Sequence, residues 1–233
     1  MDIYKAIVKE LKEHASKEKA AFLPRFFKTG KGEYGEGDRF YGVVVPAQRQ
    51  IAKKYHSASN KETIIRLLDG AFHEERLTGL FILCHKFGEA KKQGQEKEWV
   101  DLYIQKADRV NNWDLVDSTV HIILGQWLEQ KDRSLLYAWA KDPLLWKNRM
   151  AIVATLHFIR NKDLTDILRL SETMLSHTHD LIHKATGWML REAWKRDAAV
   201  VEKFLHQHKQ TMPRTMLRYA IEKMPEKQRK KFL

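Results

Sequence analysis

The chain has 233 residues, 43% of them hydrophobic and 31% charged, which suffices for one sizeable domain and excludes a disulfide-stapled mini-protein. Lys and Arg outnumber Asp and Glu by 42 to 30, a net charge of +12 that points to a polyanionic partner, DNA or RNA ahead of a membrane surface. A lone Cys84 excludes an intramolecular disulfide, and no Cys/His spacing suits zinc. The stretch from Met1 to Glu10 lacks a signal-peptide core, and no apolar run approaches the roughly 20 residues needed to span a bilayer. A reduced, intracellular and cytoplasmic setting is expected, with no membrane.

Helical periodicity recurs almost throughout. It predicts helices over 2–14, 17–27, 46–56, 60–69, 73–90, 95–107, 112–130, 132–141, 144–160, 163–175, 180–196, 197–209 and 213–223. Pro46, Pro143 and Pro213 fall at predicted first turns, where a missing N–H costs nothing. Val43-Val44-Val45 is too short to build a sheet, so the fold class is all-α. Cys84 closes the apolar run Leu80-Phe81-Ile82-Leu83 and reads as core rather than as a nucleophile. Gly30-Lys31-Gly32-Glu33-Tyr34-Gly35-Glu36-Gly37 lacks the Gly-Lys-Ser/Thr ending of a phosphate-cradling loop and reads as a flexible connection.

The helices pair through short polar connections. Arg76, Asp114, Arg149 and Lys184 recur near the starts of long helices at separations of 38, 35 and 35 residues. Such a period predicts an α-solenoid of stacked helix pairs, curved, with a concave basic surface, and a single domain over residues 1–233. A plain helical bundle is the alternative.

Three segments carry candidate chemistry. In Asn111-Asn112-Trp113-Asp114-Leu115-Val116-Asp117-Ser118, Trp113 and Asp117 are four residues apart and share one helix face, with His121 continuing the column. Val116, Val120, Ile123 and Trp127 form that helix's core stripe, Asn111 or Asn112 is the N-cap, and Asp114 is the first-turn acid. A structural carboxylate bonded to a loop or to an Arg is the other reading of Asp117. In 180–196, Ile182, Ala185, Thr186, Met189 and Ala193 face the core, whereas Lys184, Trp188 and Arg191 lie opposite. Trp188 is then either a stacking platform between two phosphate contacts or a packing residue between repeats. Helix 144–160 is apolar nearly all round from Met150 to Ile159, so it is central, with Arg149 emerging at its start or buried in a salt bridge that could reach Asp117. His177, His179 and His183 include an i,i+4 pair, but no carboxylate or Cys completes a metal set. No metal and no cofactor are expected.

Asn112-Trp113-Asp114-Leu115-Val116-Asp117-Ser118 resembles the signature helix of the AlkD family, HEAT-like-repeat DNA glycosylases that excise alkylated purines. Trp146-Lys147-Asn148-Arg149-Met150-Ala151-Ile152 and Lys184-Ala185-Thr186-Gly187-Trp188-Met189-Leu190-Arg191-Glu192 resemble two further family segments in the same order, as does Phe40 through Arg49. The resemblance implies a monomeric base-excision-repair enzyme acting on double-stranded DNA that contains alkylated bases. It makes Asp117 the catalytic carboxylate, with Trp113 and Trp188 lining the lesion's deoxyribose and Arg149 holding DNA nearby. Arg49, Lys184 and Arg191 become backbone contacts. A non-catalytic solenoid that binds branched or distorted DNA is the alternative the resemblance also allows. The chain departs from the family pattern at Asn112, where some members carry a second aromatic, and at Phe26 and Val44, which replace polar or hydroxylated residues.

Overall fold

The computed structural model describes residues 2–232; Met1 and Leu233, the ends of the expected single domain, lie outside them. The described residues contain no strand, only an isolated bridge between Arg39 and Phe72, and no helix long and apolar enough to cross a membrane. The chain divides into two compact units at Leu115/Val116.

The first unit holds α1 (Ile3–Glu13), α2 (Lys17–Phe26), α3 (Val45–Tyr55), α4 (Lys61–Leu68), α5 (His73–Lys91), α6 (Lys97–Gln105) and a 3₁₀ turn over Ala107–Arg109. Side chains of Asp2, Ser16 and Asn60 accept hydrogen bonds from Lys5 N, Lys19 N and Thr63 N, so local sequence starts α1, α2 and α4. Pro46 sits in the first turn of α3 as the sequence predicts. Helix α5 is the axis of this unit: every residue from His73 to Leu83 is buried, and α3 and α4 both pack on it. The segment between α2 and α3 is wound rather than loose. Gly30 N donates to Glu33 Oε2 and Gly32 N to Glu36 Oε2, each at 2.8 Å. Farther on, Tyr41 N, Gly42 N and Val43 N all donate to the Glu74 carboxylate at 2.8–3.1 Å.

Helix α7 (Trp113–Val120) carries the division in its first turn and runs into a π-helical segment, His121–Gly125. The second unit continues with α8 (Ser134–Trp139), α9 (Leu145–Ala154), α10 (Leu156–Arg160), α11 (Thr165–Met174), α12 (Asp180–Trp194), α13 (Ala198–His208), α14 (Arg214–Ile221) and α15 (Glu226–Arg229). Pro143 and Pro213 fall just outside helices: Pro143 precedes the N-cap Leu144, and Pro213 is itself the N-cap of α14.

Two predicted long helices are broken here. The 144–160 helix divides at Thr155, whose hydroxyl bonds back to Ile152 O at 2.6 Å. The 112–130 helix widens into the π segment, where an added Cβ at Gly125 would lie 2.7 Å from Ala154 O. The two irregularities therefore meet at the close backbone approach of Gly125 to Ala154. Because a π turn is wider than an α turn, it rotates the residues C-terminal to it about the helix axis. Val116, Val120 and Ile123 are fully buried as the stripe predicts, but Trp127 is only half-buried, with Lys131 Nζ 3.6 Å over its ring. On α12 the core stripe of Ile182, Ala185, Thr186, Met189 and Ala193 is fully buried.

Helices α12 and α14 form the most intimate pair in the second unit. An added Cβ at Gly187 would lie 2.4 Å from Met216 O and 2.5 Å from Tyr219 Cβ. Gly88, in α5, has open space at the same position. Gly187→Ala is therefore expected to destabilise the protein by about 1–3 kcal/mol through overpacking, and Gly88→Ala to stabilise it by about 0.5–1 kcal/mol by removing helix glycine entropy. Thermal melts of the two variants check this, and a neutral Gly187→Ala would show that α12 and α14 are farther apart in solution.

Candidate active site

In the second unit, α7 presents Asp117 and α9 presents Arg149. Arg149 Nε donates to Asp117 Oδ1 at 2.8 Å and Nη2 donates to Oδ2 at 2.7 Å, the two-point geometry that matches a planar guanidinium to a carboxylate. Arg149 Nη1 donates to Leu181 O at 2.6 Å, which ties both to the first turn of α12. The arginine side chain is 6% exposed and the aspartate 18%, so the acid is the more accessible member of the pair. Arg149 is thus placed as the partner of Asp117, the salt bridge weighed from the sequence, with three donor atoms committed within the protein.

The turn before α12 is built by its histidines. His179 Nδ1 accepts from Leu181 N at 3.1 Å, His177 Nδ1 accepts from His179 N at 3.0 Å, and His177 Nε2 meets Asn148 Oδ1 at 3.2 Å. Burial holds the His177 and His179 imidazoles below the ordinary value, which suits ring nitrogens that accept from backbone N–H groups. These rings shape the carbonyl that holds Arg149, and among the described residues no group of three or more potential ligands is placed to hold a metal.

His121 stands one turn after Asp117. Burial first, and then the Arg160 charge, push its imidazole down to about 4, so it is neutral. On α12, Trp188 is half-buried between Lys184 and Arg191. Lys184 pairs with Asp180 on its own helix at 2.6 Å, and Arg191 pairs with Glu222 at the end of α14. Both cations therefore have acids beside them, and the face expected to be free lies partly along the α12–α14 groove lined by Thr215, Arg218 and Tyr219.

In the first unit, Trp113 stands in an aromatic cluster. Phe27 stacks on it at 5.3 Å between centroids, and Phe26 meets it edge-on at 5.7 Å. Its backbone N–H donates to Asn112 Oδ1 at 2.8 Å, so the buried Asn112 touches the start of α7. Arg49 is exposed, with its guanidinium carbon 4.1 Å over the Phe81 ring. Cys84 is half-buried, and burial pushes its thiol up to about 12, unsuited to a nucleophile.

What the sequence reading missed is the charge network beneath Trp113. His73 Nδ1 meets Asp38 Oδ2 and His73 Nε2 meets Asp114 Oδ2, both at 2.8 Å, and Arg76 also bonds Asp38. Burial opposes the imidazolium, but the Asp114 and Asp38 carboxylates overcome it and raise His73 to about 9. Asp114 thereby does more than favour the helix dipole: it anchors the start of α7. The sequence signals were the acid at the first turn and the recurrence of Arg76 and Asp114 at helix starts 38 residues apart.

A folded value near 9 against an ordinary 6.5 means that this stabilisation is complete below pH 6.5 and is lost as pH rises through 9. It amounts to about 3 kcal/mol. The melting temperature is accordingly expected to fall between pH 7 and 10, and His73→Gln to remove most of that slope. Parallel pH–melting curves for the two proteins would expose an error in the assigned charge.

A family model described as DNA alkylation repair enzyme matches residues 7–224. Among solved structures, a predicted DNA alkylation repair enzyme from Enterococcus faecalis is similar at a TM-score of 0.74 and 16% identity, over 91% of this chain and 98% of that one. At that identity the likeness is one of fold, and it agrees with the all-helical architecture. No curated protein matches in sequence. With the family model spanning α1 through the residues after α14, the chain belongs to the DNA alkylation repair enzyme family.

Proposed function

We propose that the protein is a monofunctional DNA glycosylase, a hydrolase that cleaves the N-glycosidic bond of cationic alkylated purines of the 7-methylguanine and 3-methyladenine type in duplex DNA. The observation that carries this reading is the Asp117 carboxylate, fixed at two points by a buried Arg149 and itself 18% exposed.

A purine alkylated at N3 or N7 is already cationic, so it departs as a neutral base without a strong general acid. The C1′–N bond breaks, its electron pair neutralises the ring, and positive charge passes to the sugar. Asp117 stabilises that oxocarbenium-like charge and orients a water, whose oxygen bonds to C1′ while its proton goes to solvent. The product is an abasic site. Asp117 must stand nearer the sugar than the base, because only attraction that grows as charge moves lowers the barrier.

Arg149 weakens this attraction without cancelling it. At an effective dielectric of 20, a cation about 4 Å from the carboxylate gains about 4 kcal/mol, and the guanidinium roughly 8 Å away returns about 2. What the arginine contributes is position, since the carboxylate is held in place before substrate arrives. Trp113, one turn before Asp117 on α7, and Trp188, on α12, are the aromatic faces offered to the cationic nucleoside. Arg49, Lys184 and Arg191 are assigned to the DNA backbone. For the latter two, phosphate would compete with Asp180 and Glu222, exchanging one charge-assisted bond for another.

A second reading has one observation in its favour. Both Asp117 oxygens are occupied by Arg149, which is also how a purely structural ion pair looks, and the chain would then bind branched or distorted DNA without turnover.

Single-turnover release of 7-methylguanine from an alkylated duplex separates the two. Wild type is expected to release base, with the Asp117→Asn rate lower by about 10²–10³, provided circular dichroism shows the variant folded. Arg149→Lys, which keeps the charge but loses two-point geometry, is expected to slow release with unchanged pH dependence. Tight DNA binding by wild type with no release would establish the second reading.

A further inference from the structure

Helix α2 is ten residues long and buries none of its side chains. Phe22 is 60% exposed and Phe26 49%, the most exposed large hydrophobic side chains among the described residues. Two phenylalanines left in water forgo the stabilisation that burial gives, so a contiguous apolar patch of this kind marks a contact surface. The rings are ordered. Phe22 stacks on Phe26 at 6.0 Å, Phe26 meets Phe27 at 5.0 Å and Trp113 at 5.7 Å, so a file of aromatic rings runs from Trp113 out to solvent at Phe22.

The charge beside this file identifies its occupant. Lys19 and Arg25 on α2, and Lys28 just beyond it, are all exposed, and none makes an ion pair among the described residues. The helix carries a single acid, Glu18. Lys184, Arg191 and Arg149, by contrast, are each matched to a carboxylate. Exposed aromatic faces interleaved with unpaired cations are what a nucleic-acid strand requires: the cations take phosphates and the rings take bases. A base inside an intact stack has no free face, whereas a base that has lost its partner can turn one outward at low cost.

We propose that α2 is a base-stacking helix, on which Phe22 stacks with an unpaired nucleobase in duplex DNA while Lys19, Arg25 and Lys28 hold the flanking phosphates. This rests on the reading of the chain as a DNA-acting enzyme. It adds to it a surface that recognises the orphaned base, which base excision leaves opposite its abasic product.

The test compares two duplexes of one sequence by fluorescence anisotropy, one intact and one carrying a tetrahydrofuran abasic analogue opposite 2-aminopurine. Wild type is expected to prefer the orphan-base duplex roughly tenfold, the range of one base–aromatic stack, and to quench the 2-aminopurine. Phe22→Ala should bring the preference below about twofold and abolish the quench, while Phe22→Trp retains both. Arg25→Ala with Lys28→Ala should weaken binding to both duplexes and reduce the salt slope by about 2, with the preference intact. Phe22 is exposed, so folding is not at stake; circular dichroism verifies it. An undiminished preference or quench in Phe22→Ala, or equal wild-type binding to both duplexes, overturns this proposal alone. No binding to either duplex overturns the DNA reading with it. Phe22-dependent binding to phosphatidylserine vesicles, or Phe22-dependent self-association in sedimentation, in place of the orphan-base preference would assign the patch to a lipid surface or a second copy and overturn it as well.

Discussion

Charged side chains at the seams between successive helix pairs are cut off from water, and each must find its partner roughly one pair away in the chain. Arg76 reaches Asp38 across 38 residues, His73 reaches Asp114 across 41, Arg133 reaches Asp166 across 33 and Arg149 reaches Asp117 across 32. An unpaired charge at such a depth would cost more than most single interactions return. Apolar burial pulls the pairs together but is not directional. The ion pairs supply direction, since each joins two positions of the chain that must come together at one geometry. The spacing of Arg76, Asp114 and Arg149 in the sequence is the trace of this demand. Lys184 continues the spacing but not the bond, because Asp180 lies within reach on its own helix.

The proposed reactive group is a product of the same constraint. Asp117 would be held by Arg149 in a protein without any activity, simply because the guanidinium is buried and needs an acceptor. What distinguishes this pair from Arg76–Asp38 is exposure. Asp38 is sealed at 4%, whereas Asp117 keeps 18% of its side chain open. A sealed pair can only stabilise, but a pair open on its acidic side can also meet a cation. Support extends further back, through Leu181 O to the histidine-built turn that starts α12. Asn148, through its contact with His177, therefore bears on where the carboxylate points.

Much of this could be read from the residues. Apolar spacing at 3.6 residues located every long helix, and the buried stripes matched it from α7 into the π segment at Ile123 and along α12 to Ala193. It failed where backbone met backbone. The π segment and the break at Thr155 meet where Gly125 approaches Ala154, and neither residue type announces such an approach in advance. Trp127 leaves the core as a consequence. The sequence allows the pairing of Asp117 with Arg149 as an alternative, but a helical wheel shows only which side a residue takes. It cannot show that another helix brings a guanidinium there. His73 was invisible for a similar reason. Both its acids, Asp38 and Asp114, lie far from it in sequence, and a histidine at a helix start looks like any other.

A net charge of +12 says that a polyanion is favoured, but it does not say where. Counting cations on helix faces pointed to α12, where Lys184 and Arg191 flank Trp188. The structure gives both of them carboxylates, so their positive charge is already partly met. On α2 the cations have none, and the rings beside them are open to solvent. A phosphate reaching α12 must displace a carboxylate, whereas one reaching α2 displaces only water and mobile counterions. If both helices meet DNA, α2 is therefore the stronger source of non-specific affinity and of salt dependence. The α12 cations would engage only once the duplex is positioned closely enough to displace Asp180 and Glu222. That ordering comes from pairing rather than from charge, and composition alone could not supply it.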